Sequence, residues 1–81
     1  MKDRTVKILR IFITSDYPVT LAKLEEEFRT SARTIRNELR EINQFLMEKG
    51  LPEIKNLRKK GYQLTLESKE KASLLEQLDL A

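Results

Sequence analysis

Ile35, Leu39, Ile42 and Leu46 recur at spacings of four, three and four. That rhythm draws one continuous apolar stripe along a helix and commits the segment to lying against a core. Ser31 stands where an N-cap belongs, because its hydroxyl can take an orphan backbone N–H. Gly50 follows as a C′ residue with Pro52 close behind, so the helix is bounded at about Lys49. At about 100° per residue, Arg33, Arg36, Asn37, Arg40 and Gln44 gather opposite the stripe. Like charges three and four apart cost roughly 0.2–0.5 kcal/mol per pair. With the stripe in the core, these arginines point outward toward something that offsets their crowding.

The preceding residues fit around this helix. Val6, Leu9 and Ile13 share one face, widened by Ile8 and Phe12, which predicts a helix from Asp3 to about Thr14. "SDYP" ends it, because Pro18 disfavours helix at Tyr17. Val19 lies in a very short extended piece. Thr20 reads as an N-cap, and Leu21, Leu24 and Phe28 define a short helix over residues 21–28. "RTS" at 29–31 is the turn between the second and third helices.

After Pro52 the period changes from helix to strand. Tyr62, Leu64 and Leu66 alternate with Gln63 and Thr65, and "EIKNL" supplies a partner strand. Residues 53–66 therefore read as a hairpin with Arg58, Lys59, Lys60 and Gly61 at its tip. Ser68 is expected to cap a last amphipathic segment containing Leu74, Leu75, Leu78 and Leu80. The predicted fold class is α+β, mainly α. It is a winged helix-turn-helix with a three-helix core, a C-terminal β-hairpin wing and a short C-terminal helix. Residues 1–66 form the domain; residues 67–81 are a C-terminal helix or a linker towards a downstream domain.

Composition narrows the chemistry. The 81 residues contain no cysteine and no histidine, which removes disulfides, thiolate nucleophiles and the commonest zinc ligand and general base. No nucleophile–base pair, phosphate loop or metal cluster is visible, so no catalysis and no cofactor is expected. The three adjacent glutamates of "LEEEF" diverge around a helix and make a solvated face. No apolar run approaches the ~20 residues that cross a bilayer, so a cytoplasmic setting without membrane contact is expected. The net charge is +3, and residues 67–81 contribute −2 of it, which leaves +5 on the rest. A basic body fits an anionic partner.

Double-stranded DNA is the partner whose chemistry matches. Guanidinium forks fit phosphate and the O6/N7 edge of guanine, and Asn or Gln amides fit adenine. The residues assigned to DNA are Ser31, Arg33, Thr34, Arg36, Asn37 and Arg40 on the third helix, with Arg58, Lys59 and Lys60 at the wing tip. Ser31 is first a cap, and the helix start adds backbone N–H groups for a phosphate. Thr34 serves helix packing or a phosphate, Asn37 reads a base or is a surface amide, and the wing lysines bind the backbone or solubilise a turn. Tyr62 is assigned to the core, because Leu64 and Leu66 share its face.

"YPVTLAKLEEEFRTSARTIRNELREINQFLMEKGLPEIKNLRKKGYQL" resembles the N-terminal winged-helix domain of bacterial sugar-operon transcriptional regulators. These are the regulators that carry phosphotransferase-system regulation domains (PRDs), of the mannitol-operon activator type. "PVTLAKLEEEF", "SARTIRNELREIN" and "GYQL" carry the likeness over about two-thirds of the chain. Arg29 stands where that family usually has glycine, Glu38 where it has aspartate, and Lys59 where the wing has its first glycine. If the turn requires positive φ, Arg29 carries about 1 kcal/mol of strain. The resemblance implies sequence-specific binding in the regulation of carbohydrate uptake, with residues 31–49 in the major groove and the wing at 57–61 on the backbone. It also implies a homodimer in the full-length protein, and sugar-phosphotransferase proteins as partners through downstream domains. Two other readings stay open: a winged-helix protein-interaction or dimerisation module working through Leu74 and Leu78, and a repressor domain of the biotin-ligase type.

Overall fold

The computed structural model describes residues 1–80. Helices α1 (Asp3–Thr14), α2 (Leu21–Phe28) and α3 (Ala32–Glu48) precede a hairpin of β1 (Lys55–Asn56) and β2 (Tyr62–Gln63). A single 3-10 turn, Arg58–Lys60, joins the two strands, and α4 (Ser68–Leu80) closes the chain. This is the winged helix-turn-helix architecture, mainly helical, with the wing after the helices.

One apolar cluster holds these pieces. Ile8, Leu9, Phe12 and Ile13 of α1 meet Leu24 of α2 and the whole α3 stripe of Ile35, Leu39, Ile42 and Leu46. Each such side chain, fully buried, contributes roughly 1.5–3 kcal/mol. On α1 the buried face is rotated from the expected one: Thr5 is buried and Val6 only partly so. Thr5 goes inside because it has a polar partner there. Its hydroxyl donates to Glu38 Oε1 at 2.8 Å, and Arg4 Nε donates to Glu38 Oε2 at 2.8 Å. Glu38 is 4% exposed, so α1 and α3 are tied through a buried carboxylate with both oxygens engaged.

The helix ends follow their sequence signals. The Thr20 hydroxyl accepts from Lys23 N–H, and the Ser31 hydroxyl accepts from Thr34 N–H at 3.3 Å. At the far end of α3, Gly50 sits at φ +72°. Its N–H donates to the Met47 carbonyl, and Leu51 N–H donates to the Leu46 carbonyl. That is the two-bond Schellman ending. At the start of α4 the cap lies one residue earlier than expected. The Glu67 carbonyl accepts from Lys71 N–H, and its own N–H donates to the Glu70 carboxylate at 2.9 Å. Glu67 is thus the N-cap and Glu70 the returning side chain of a capping box, with Ser68 inside the helix.

The hairpin is shorter than alternation predicts. Lys55 pairs with Gln63 and Asn56 with Tyr62, and no further residue joins the ladder. Leu64 and Leu66 are buried without strand pairing, so their alternation reports burial only. The wing gains a third rung instead from Val19. Val19 N–H donates to the Tyr62 carbonyl, and Tyr62 N–H to the Val19 carbonyl, both at 2.7 Å. Gly61 makes this approach possible. It has φ +108°, and a Cβ there would stand 2.6 Å from the Val19 carbonyl oxygen. The helix α4 lies on α1, with Leu74 and Leu78 in the common core and Arg10 paired with Asp79. The side chain of Leu80, assigned to the same apolar face, lies outside the described residues, as does Ala81.

Candidate nucleic-acid interface

Anchoring of the α3 stripe decides where everything else on that helix points. Ile35, Ile42 and Leu46 have no exposure and Leu39 has 4%, so the helix cannot roll. Arg33, Arg36, Asn37, Arg40 and Gln44 are all exposed on the opposite side. Among the described residues, ion pairs form only at Arg4–Glu38 and Arg10–Asp79. Arg33, Arg36 and Arg40 therefore face solvent without an acidic partner. Three unneutralised guanidinium groups on one rigid face form a site for a polyanion.

At the start of this helix the two hydroxyls assigned to the site hydrogen-bond one another, Ser31 Oγ donating to Thr34 Oγ1 at 3.1 Å. Ser31 spends its acceptor on Thr34 N–H, and its carbonyl takes Ile35 N–H. The N–H groups of Ala32 and Arg33 have no partner among the described residues, so the positive end of the helix is open.

The wing is fastened to the same face. Asn43 Oδ1 accepts the backbone N–H of Ile54 at 2.8 Å, which fixes the strand leading into β1 against α3. Tyr62 closes a shallow groove whose other walls are Arg36, Leu39, Arg40 and Asn43. At the tip, Arg58, Lys59 and Lys60 are exposed on the 3-10 turn. The positive-φ position there is Arg58, at +59°, rather than Lys59. Its N–H donates to Asn56 Oδ1 at 2.8 Å, an Asx-type turn that supports the left-handed conformation. The structure thus joins Arg36 and Arg40 to the wing through Asn43 and Tyr62, while the three tip cations extend beyond that junction.

The turn between α2 and α3 settles the geometry of the pair. Arg29 takes φ 50° and ψ 50°, with its N–H and that of Thr30 both donating to the Glu25 carbonyl. This left-handed step reverses the chain in three residues and sets α3 across α2. A short helix, this tight turn and a long helix with its outer face basic compose a helix-turn-helix unit. A family model described as an HTH domain matches residues 4–70. The chain belongs to the HTH domain family. The matched span runs from α1 through the wing into the first turn of α4. Neither a curated protein nor a solved structure matches the chain. Membership of the HTH family makes DNA the partner and sequence-specific DNA binding the function that this fold supports. Among the described residues of this HTH domain, no helix is long and apolar enough to cross a membrane.

Residue types alone did not reveal three contributors: Glu38, Asn43 and Tyr62. Glu38 falls at i+3 from Ile35 and i−4 from Ile42, a carboxylate at the edge of the core stripe, and that placement was the available signal. Asn43 sits at i+3 from Arg40 on the border of the basic face. Nothing in the local pattern separates Tyr62 from the leucines that follow it.

Proposed function

We propose that this HTH domain is the non-enzymatic DNA-reading part of a bacterial transcriptional regulator of carbohydrate uptake and utilisation. Helix α3 enters the major groove. Arg33, Arg36, Asn37 and Arg40 contact bases and phosphates, Ser31 and Thr34 lie at phosphates, and Arg58, Lys59 and Lys60 hold the neighbouring backbone. The observation that carries this is the basic outer face of α3, exposed and without acidic partners, on a helix locked by its buried stripe. The sugar-operon assignment rests on "SARTIRNELREIN" and "GYQL". It brings with it residues 1–66 as the DNA-binding unit, phosphotransferase partners through downstream domains and dimerisation outside this domain. The reading as an interaction module has less support. Leu74 and Leu78, the residues it would use, are 1% and 6% exposed and occupied by the core.

The test is a fluorescence-anisotropy titration of labelled duplex DNA at several salt concentrations. The isolated domain should bind random duplex with a Kd of order 10⁻⁴–10⁻⁶ M, weakening steeply with salt. Arg36→Ala/Arg40→Ala should weaken binding and reduce the salt slope by about 1.8, from about 0.9 per phosphate contact. An unchanged slope removes the arginine face from the interface.

A further inference from the structure

Tyr62 lies where the recognition helix and the wing share a surface groove. Its backbone is clamped on both sides, N–H and carbonyl each bonded to Val19 at 2.7 Å. The residue is half-buried and lines the groove with Arg36, Leu39, Arg40 and Asn43. The hydroxyl takes no hydrogen bond inside the protein among the described residues. Nor does any buried side-chain oxygen or nitrogen lack a partner there. The hydroxyl therefore reaches solvent. Arg36 and Arg40, one helical turn apart, line the same groove, both exposed and without an acidic partner among the described residues. A phenolic O–H is a neutral donor on a stem too rigid to need much ordering, and a phosphate oxygen is the acceptor that the two cations would draw to it.

We propose that the Tyr62 hydroxyl donates a hydrogen bond to a DNA backbone phosphate seated between α3 and the wing, and so fixes how deeply α3 enters the groove. This rests on the DNA-binding reading above. The role differs in kind from that of the arginines. A guanidinium displaces a condensed counterion when it meets a phosphate, whereas a neutral hydroxyl displaces none. Removing the hydroxyl should thus lower affinity at every salt concentration by the same factor.

The experiment compares wild type, Tyr62→Phe and Arg40→Ala in the salt-dependent anisotropy titration, with the Tm of each free protein measured in parallel. Phenylalanine keeps the ring and its packing, so the Tm of Tyr62→Phe should stay within about 2 °C of wild type. Its Kd should rise about tenfold, as for the loss of a hydrogen bond to a charged group, with an unchanged salt slope. Arg40→Ala should instead lower the slope by about 0.9. A Tyr62→Phe protein that binds like wild type overturns the proposal and leaves the arginine face standing. So does a loss of affinity matched by a fall in Tm, which would make the hydroxyl structural. If wild type shows no salt-dependent binding, the DNA reading itself fails and the Tyr62 contact with it.

Discussion

Helix α3 and the wing reach the same surface by different means. In α3, each turn sends a residue of the stripe into the core, and a buried carboxylate pins the helix to α1. The wing has two residues per strand and no buried residue in its ladder or tip apart from Gly61. Its place is set by directional bonds: Val19 to Tyr62, Asn43 to Ile54, and the close approach at Gly61. Burial is spread over many contacts, so no single one decides where the helix lies. A hydrogen-bonded clip with a glycine at its centre has few contacts and one point of failure. The HTH body should therefore be robust to changes that dislocate the wing, and losing the wing should cost DNA binding more than stability.

Three substitutions sharpen this contrast. Glu38→Ala acts on the body and has the largest effect. It leaves the Thr5 hydroxyl buried without an acceptor and Arg4 without its partner, and should cost about 2–3 kcal/mol in urea unfolding. Arg4 remains partly solvated, which keeps the loss below that of a fully buried pair. Gly61→Ala comes next and acts on the wing. With φ at +108° and the Val19 carbonyl 2.6 Å from the added carbon, the Val19–Tyr62 rung must open, at about 2 kcal/mol. Far-ultraviolet circular dichroism should be almost unchanged, amide exchange should rise at Val19 and Tyr62, and DNA affinity should drop. Global unfolding on Gly61→Ala would erase the distinction between body and wing. Arg29→Gly is smallest and opposite in sign. It relieves a left-handed arginine at the α2–α3 turn and should add about 0.5–1 kcal/mol, seen as a higher Tm.

The sequence was most legible where one short-range signal and burial agreed. The α3 stripe, the Thr20 and Ser31 caps and the glycine ending at Gly50 are all local, and each stands where its spacing put it. An arginine in the resembled family's glycine position leaves the conformation of the "RTS" turn open in the sequence, and the structure resolves it as left-handed at Arg29. Legibility fell where partners lie far apart along the chain. Thr5 and Arg4 are buried or held by Glu38, more than thirty residues away, and periodicity has no term for such pairing. The expected strand over Tyr62 to Leu66 stops at Gln63, because burial and ladder pairing produce the same alternation. Tyr62 packs against the core as its alternation with Leu64 and Leu66 implies, but it is half-buried and also lines the groove beside α3. The cap of α4 fell one residue early because "ESKE" offers two oxygen-bearing cap candidates, and the Glu70 side chain chose Glu67. Of the residues assigned to DNA, Ser31, Arg33, Arg36, Asn37, Arg40 and the three wing-tip cations are exposed, and Thr34 is half-buried.

In the reading proposed above, the outer face of α3 and the wing form one DNA-binding surface. The direct test is two-dimensional NMR of the isotopically labelled domain during titration with duplex DNA at low salt. Amide shift changes should concentrate at residues 29–40, at 54–63 and around Val19, with α4 and the outer side of α1 unmoved. Shifts concentrated on α1 and α4, with Arg33, Arg36 and Arg40 unaffected, would contradict it.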